Sequence, residues 1–168
     1  MLMKRIWLFL LIVLVSFVAK AQSRYTVYVF LGENCPICQH HTLTLNNLNK
    51  EYKDKGVEII GVFPNPESDS AAIEKFRQKY KIQFALQKDT GRQLMKRFDA
   101  SITPQVFVVA NDSVFYKGGI DDRFASLGKR KTTPVIAHLE NAIVALLQGQ
   151  VIEVKETKAV GCFIDSEY

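Results

Sequence analysis

Residues 25–31 and 57–63, YTVYVFL and VEIIGVF, are two nearly unbroken apolar runs rich in β-branched and aromatic residues. Between them Ile37, His41, Leu45, Leu48 and Tyr52 recur at helical spacing and form one stripe. Apolar runs of this kind suit strands covered on both sheet faces, and the striped segment is the helix that joins them. Such a beginning rules out an all-α or all-β chain and predicts a parallel crossover. Gly32-Glu33-Asn34 breaks the first strand, Gly56 stops the helix near Lys55, and Pro64-Asn65-Pro66 closes the second strand.

The pattern continues along the chain. A helix fits Ser70–Tyr80, with Ile73, Phe76 and Tyr80 on one face, and Phe84–Leu86 is a short strand ending near Asp89. Thr90 is placed to cap a third helix through Leu94, Met95 and Phe98. Gln105–Val109 and Ser113–Lys117 read as a hairpin across Ala110, Asn111 and Asp112. Residues 121–133 read as a long exposed loop, with Lys129-Arg130-Lys131 a solvated basic triplet. Pro134 opens a last helix with the stripe Ile136, Leu139, Ile143 and Leu146, stopped at Gly149. The remainder is an irregular C-terminal tail in which Val151–Val154 is a candidate strand. The expected fold class is α/β: a central mixed sheet, mainly parallel with one antiparallel edge, covered by helices on both faces.

A length of 168 residues and a hydrophobic content of 48% fit one folded domain. Residues 1–21 are set apart: 17 are apolar, Lys4 and Arg5 lead, and Ala19-Lys20-Ala21 is an A-x-A cleavage signal. This predicts a secretory signal peptide cut after Ala21; an uncut anchor is the alternative, for which the apolar run is short of about 20 residues. Cleavage leaves 147 residues with 19 Lys+Arg against 17 Asp+Glu, so net charge gives no case for nucleic-acid binding. The expected organisation is a globular domain over 22–150 and a tail over 151–168, in a periplasmic or secreted protein. All three cysteines stay in the exported part, where a disulfide persists.

Cys35-Pro36-Ile37-Cys38 lies at the first strand-to-helix junction. Proline turns the residue before it away from helical backbone and suits the first helical position itself, so Cys35 is expected at the helix start. There the helix dipole stabilises a thiolate. Cys38 follows within one turn, so Cys35 can attack a disulfide and Cys38 can resolve the product. A structural disulfide and a metal pair are the alternatives. The metal reading is a copper or other soft-metal carrier using Cys35 and Cys38, with His41 or Cys162 as further ligands. His41 lies on the apolar stripe, either packed and hydrogen-bonded or near the thiols. His40 is expected to meet solvent, and His138 is expected to be structural.

Thr103-Pro104 before the strand QVFVV is a second signal, since proline belongs at a strand start. Its peptide bond is open between trans and cis. Cys162, on the tail after Gly161, is either an incidental thiol or a third redox or metal-binding thiol brought over the pair.

Strand, CxxC, helix and a later Thr-Pro before a hairpin together resemble the thioredoxin superfamily from Tyr25 to about Gly149. The added segment Asp69–Leu86 is similar to the exported TlpA/ResA-like and peroxiredoxin-like (AhpC/TSA) branches. The tail Val160-Gly161-Cys162-Phe163-Ile164, with Ile120-Asp121-Asp122-Arg123, resembles a peroxiredoxin-like subgroup ending in G-C-x-I. The resemblance implies a thiol–disulfide oxidoreductase needing no cofactor, with Cys35 attacking, Cys38 resolving, and a cis Pro104 shaping a groove with Thr103 and Pro36. Its partners would be protein or small-molecule disulfides and thiols, and a reducing or oxidising partner protein. The chain departs in having Asn34 where thioredoxins carry Trp. It has Tyr28 and Gly32 where the peroxidatic Pro-x₃-Thr/Ser-x₂-Cys pattern needs Pro and Thr/Ser, so weak thiol-dependent peroxidase activity stands as an alternative only.

Overall fold

The computed structural model describes residues 24–133 and 135–164. The expected signal peptide, residues 1–21, lies outside them. The main sheet has the order β3-β2-β1-β5-β6. Its strands are β1 (Tyr25–Phe30), β2 (Val57–Phe63), β3 (Ala85–Lys88), β5 (Gln105–Ala110) and β6 (Ser113–Gly118). The short β4 (Ile102–Thr103) lies outside this sheet. β1 to β3 pair in parallel through the crossovers α1 (Pro36–Tyr52) and α2 (Ser70–Tyr80), while β5 runs antiparallel to both β1 and β6. The sheet is therefore half antiparallel, more than the single edge expected.

Alternation along the strands explains how both faces are covered, since successive side chains point to opposite sides. Val27, Val29, Val57, Ile59, Val106 and Val108 join one apolar cluster with Ile37, Leu45 and Leu48 of α1, and Leu139 and Ile143 of the last helix. Phe30, Val62, Phe107 and Val109 join the other with Phe98 of the short α3 (Gln93–Phe98), Ala100, and Ile164 of the tail. One face thus rests on long helices and the other on one short helix and the chain's own C-terminal segment.

Several local expectations change for identifiable reasons. α3 is capped by Asp89, not by Thr90: its buried carboxylate accepts from the Leu94 and Met95 backbone N–H groups at 3.0 and 2.8 Å. The β5–β6 turn has two residues, Asn111 and Asp112, both left-handed (φ 46° and 63°), the backbone that matches strand twist in a tight hairpin. The last helix, α4 (His138–Leu147), starts four residues after Pro134. Ile136 lies before it and is half exposed, its N–H spent on the Asp122 carboxylate at 2.7 Å. Residues 121–133 are not one open loop. They contain the hairpin β7 (Phe124–Ser126) and β8 (Lys129–Arg130), turned through Leu127 and a left-handed Gly128 (φ 73°).

The tail is also more ordered in its pairing than expected. Val151–Val154 forms no strand, and Val151 and Val154 are exposed. Glu156 instead bridges in parallel to Lys117 on β6, and Thr157 Oγ1 lies 2.6 Å from the Tyr116 hydroxyl. Beyond that crossing the chain returns as β9 (Cys162–Phe163), antiparallel to β4.

Candidate active site

Cys35 is the N-cap of α1, extended at φ −77° and ψ 115°, with Pro36 as the first helical residue. Proline sets this arrangement, because its ring disfavours helical backbone at Cys35 and its missing N–H costs nothing there. Among the described residues no side chain caps α1, so the positive end of its dipole stands beside the thiol. Cys38 falls one turn on and is fully buried, with the Gly32 N–H aimed at its sulfur from 3.5 Å.

The second wall comes from the start of β5. The Thr103–Pro104 peptide is cis, and both residues are buried. The Thr103 carbonyl oxygen lies 3.1 Å from Cys35 Sγ. The third wall is the tail. Cys162 pairs with Thr103 across β4–β9, its carbonyl accepts from Thr103 Oγ1 at 3.3 Å, and its Sγ lies 2.7 Å from Cys35 Sγ. Cys35, Cys38, Thr103, Pro104 and Cys162 are thus brought together, and Pro36 stands exposed at the rim. All three thiols are free.

Burial and contact divide the three thiols. The Cys38 thiol hydrogen bond, against the penalty of burial and with help from the Cys162 thiol, draws Cys35 down to about 5. Burial pushes Cys38 well up, and burial with the neighbouring Cys35 charge pushes Cys162 up to about 12. The Thr103 carbonyl opposes this division: it accepts a bond from a protonated Cys35 and repels a thiolate. Two thiol donors and the helix dipole outweigh one carbonyl, and the charge rests on Cys35. It is present above about pH 5 and lost below. In Cys38→Ala, which removes the largest cause, the thiolate step of Cys35 is expected to rise towards the ordinary thiol value of roughly 8.5. Ultraviolet absorbance of the thiolate against pH measures it, and a step unmoved from that of the intact chain refutes the division.

The histidines depart from expectation. His41 is buried, but its Nε2 is 3.7 Å from Asp121 Oδ1, and its Nδ1 has no hydrogen-bond partner. Burial, against the attraction of Asp121, draws it down to about 4 and keeps it neutral. His40 does not simply meet solvent. Its ring nitrogens lie 3.2 Å from Arg123 Nη1 and 3.0 Å from Arg130 Nη2, and Phe124 packs edge-on to it. Part of the basic triplet is therefore engaged: Arg130 reaches His40, and Lys131 pairs with Asp122 at 2.7 Å. Gly128 in the sequence SLGK was the available signal for that hairpin. Of the soft-metal candidates, Cys35, Cys38 and Cys162 lie together, and His41 is turned to other partners. Among the described residues no group of three or more His, Cys, Asp or Glu is arranged to hold a metal ion, and His41 packs instead against Asp121 and Phe124.

The model of the AhpC/TSA family matches residues 14–117, more than half of the chain. The chain belongs to the AhpC/TSA family. Among curated proteins, the thiol-disulfide oxidoreductase ResA of Bacillus subtilis is 31% identical over 80 residues, 48% of this chain and 44% of ResA. The chain therefore spans less than half the length of that relative. Among solved structures, an uncharacterized conserved protein from Geobacillus kaustophilus superposes with a TM-score of 0.75 at 26% identity, covering 88% of this chain and 79% of that one. StoA from Bacillus subtilis superposes at 0.52 and 18% identity, over 57% and 73%. The family match and these likenesses make the fold thioredoxin-like, with the mixed sheet and two-sided helical cover expected of a redoxin.

Proposed function

We propose that this AhpC/TSA-family chain is an exported thiol–disulfide oxidoreductase acting on protein or small-molecule disulfides through Cys35 and Cys38. The observation that carries the reading is the placement of Cys35 at a helix start with a fully buried Cys38 one turn on, where the Cys38 thiol and the helix dipole draw Cys35 down to about 5. The thiolate, not the thiol, is the nucleophile. In the forward sense Cys35 attacks one sulfur of a substrate disulfide, whose S–S bond breaks and releases a thiolate that takes a proton. Cys38 then loses its proton and attacks Cys35 Sγ, releasing the second substrate thiol and leaving a Cys35–Cys38 disulfide. Two electrons pass from the pair to the substrate, and a partner of the opposite poise restores the starting state. The likeness to the thiol-disulfide oxidoreductase ResA supports the reaction class. Pro36, Thr103 and Pro104 line the groove in this reading. The export part rests on residues 1–21, and among the described residues no helix is long and apolar enough to cross a membrane.

Reduction of insulin by a dithiol tests the reaction. The intact chain is expected to accelerate it, and Cys35→Ser to fall to the uncatalysed rate. No acceleration by the intact chain with either insulin or glutathione disulfide, or full activity in Cys35→Ser, overturns the proposal.

A further inference from the structure

The tail delivers its thiol on a held strand. Ile164 is buried among Phe30, Phe98 and Phe107, and its N–H donates to the Ser101 carbonyl at 2.9 Å. Gly161 is pressed onto the cis peptide so closely that a Cβ there would meet the Thr103 oxygen at 2.0 Å and Pro104 N at 3.0 Å. Between these two anchors, Cys162 pairs with Thr103 and faces Cys35 at 2.7 Å. Thr157, on the same segment, is fixed at β6 through Tyr116 and the Gly119 N–H at 3.0 Å.

Resting on the reading of Cys35 as nucleophile, we propose that Cys162 is a second resolving thiol, which displaces substrate from Cys35 and forms a Cys35–Cys162 disulfide on the way to Cys35–Cys38. The steps balance. Cys35 thiolate takes one half of a disulfide and releases the other half as a thiol. Cys162 loses its proton and attacks Cys35 Sγ, so that a Cys35–Cys162 bond forms and the retained half leaves as a thiol. Cys38 then gives up its proton, attacks the same Cys35 sulfur, and expels Cys162, which is reprotonated. The two electrons come from Cys35 and Cys38, and Cys162 is regenerated.

Two features favour this route. Both thiols reach Cys35, but Cys38 has no exposed surface, whereas Cys162 is part-exposed and stands on the side from which a substrate would come. A nucleophile held by neighbouring backbone bonds acts at a high effective concentration. The tail also occupies the edge of β4, where an added peptide strand would pair, so the route suits a small disulfide that needs no strand of its own.

The test uses glutathione disulfide with two variants of the full chain, Cys38→Ser and Cys38→Ser/Cys162→Ser, each checked for an unchanged thermal melt. Intact mass and non-reducing peptide mapping follow the products. The double variant is expected to accumulate a stable glutathione adduct on Cys35. Cys38→Ser is expected to lose that adduct at least about tenfold faster and to yield a peptide linked through Cys35 and Cys162. An adduct equally long-lived in both variants overturns the role of Cys162 while leaving Cys35 as nucleophile. Absence of any adduct in the double variant overturns both.

Discussion

Gly161→Ala is expected to strip β9 from β4. The new methyl would sit 2.0 Å from the Thr103 oxygen and 2.6 Å from its carbonyl carbon, which is backbone on both sides and has no side chain to move aside. The cheapest relief is departure of the tail, with loss of the Thr103 pairing, the Ile164 backbone bond and the burial of the Ile164 side chain. That burial alone contributes about 1.5–3 kcal/mol. Three readouts move together: amide exchange over residues 161–164 speeds up, Cys35 reacts faster with an alkylating reagent, and the Cys35 thiolate step rises because the Cys162 donor has gone. Alkylation at the rate of the intact chain would show that the tail does not cover the site.

Phe107→Ala is expected to cost about 3–5 kcal/mol of stability. Phe107 is fully enclosed, stacks on Phe98 with ring centres 5.0 Å apart, and meets Phe30 edge-to-face at 5.6 Å. It belongs to the smaller of the two apolar clusters, where one short helix and the tail are the only cover on that side among the described residues, so little can collapse into the space. Denaturant unfolding measures the loss, with the half-exposed Val114→Ala as a comparison expected within about 0.5 kcal/mol of the intact chain. A Phe107→Ala cost below about 1.5 kcal/mol would mean that this cluster is not a rigid support. Since Ile164 packs into the same cluster, the variant is also expected to loosen β9.

These two variants probe different distances along the chain, and distance decides what the sequence reveals. Cys35, Pro36 and Cys38 are legible because proline and helix-start geometry act within four residues. The strands 57–63 and 105–110 are legible because their apolar runs exceed what an exposed segment tolerates. Asp89 and Thr90 are both capping residue types, and which of them caps α3 depends on which side chain turns back toward the N–H groups. Cys162 is different again. It meets Cys35 across 127 positions, through a strand of two residues, too short for any periodicity to register. What marks the contact is Gly161, and its need to lack a side chain becomes visible only when its distance to Thr103 is known. Likewise the helical stripe places His41 toward the interior, but not its pairing with Asp121, which depends on where the β7–β8 hairpin folds back.

The burial of Cys38 has a chemical consequence of its own. Once Cys35 and Cys38 are joined, an incoming thiolate can approach the bond from one end only, because the Cys38 sulfur has no surface to offer. In the proposed exchange, regeneration would then be regiospecific: a reductant would become attached to Cys35, with Cys38 as the sulfur that leaves the Cys35–Cys38 bond. The enclosure that makes Cys38 a poor free nucleophile would fix it as the leaving group, so that in the proposed exchange substrate and reductant would both be carried on the Cys35 sulfur.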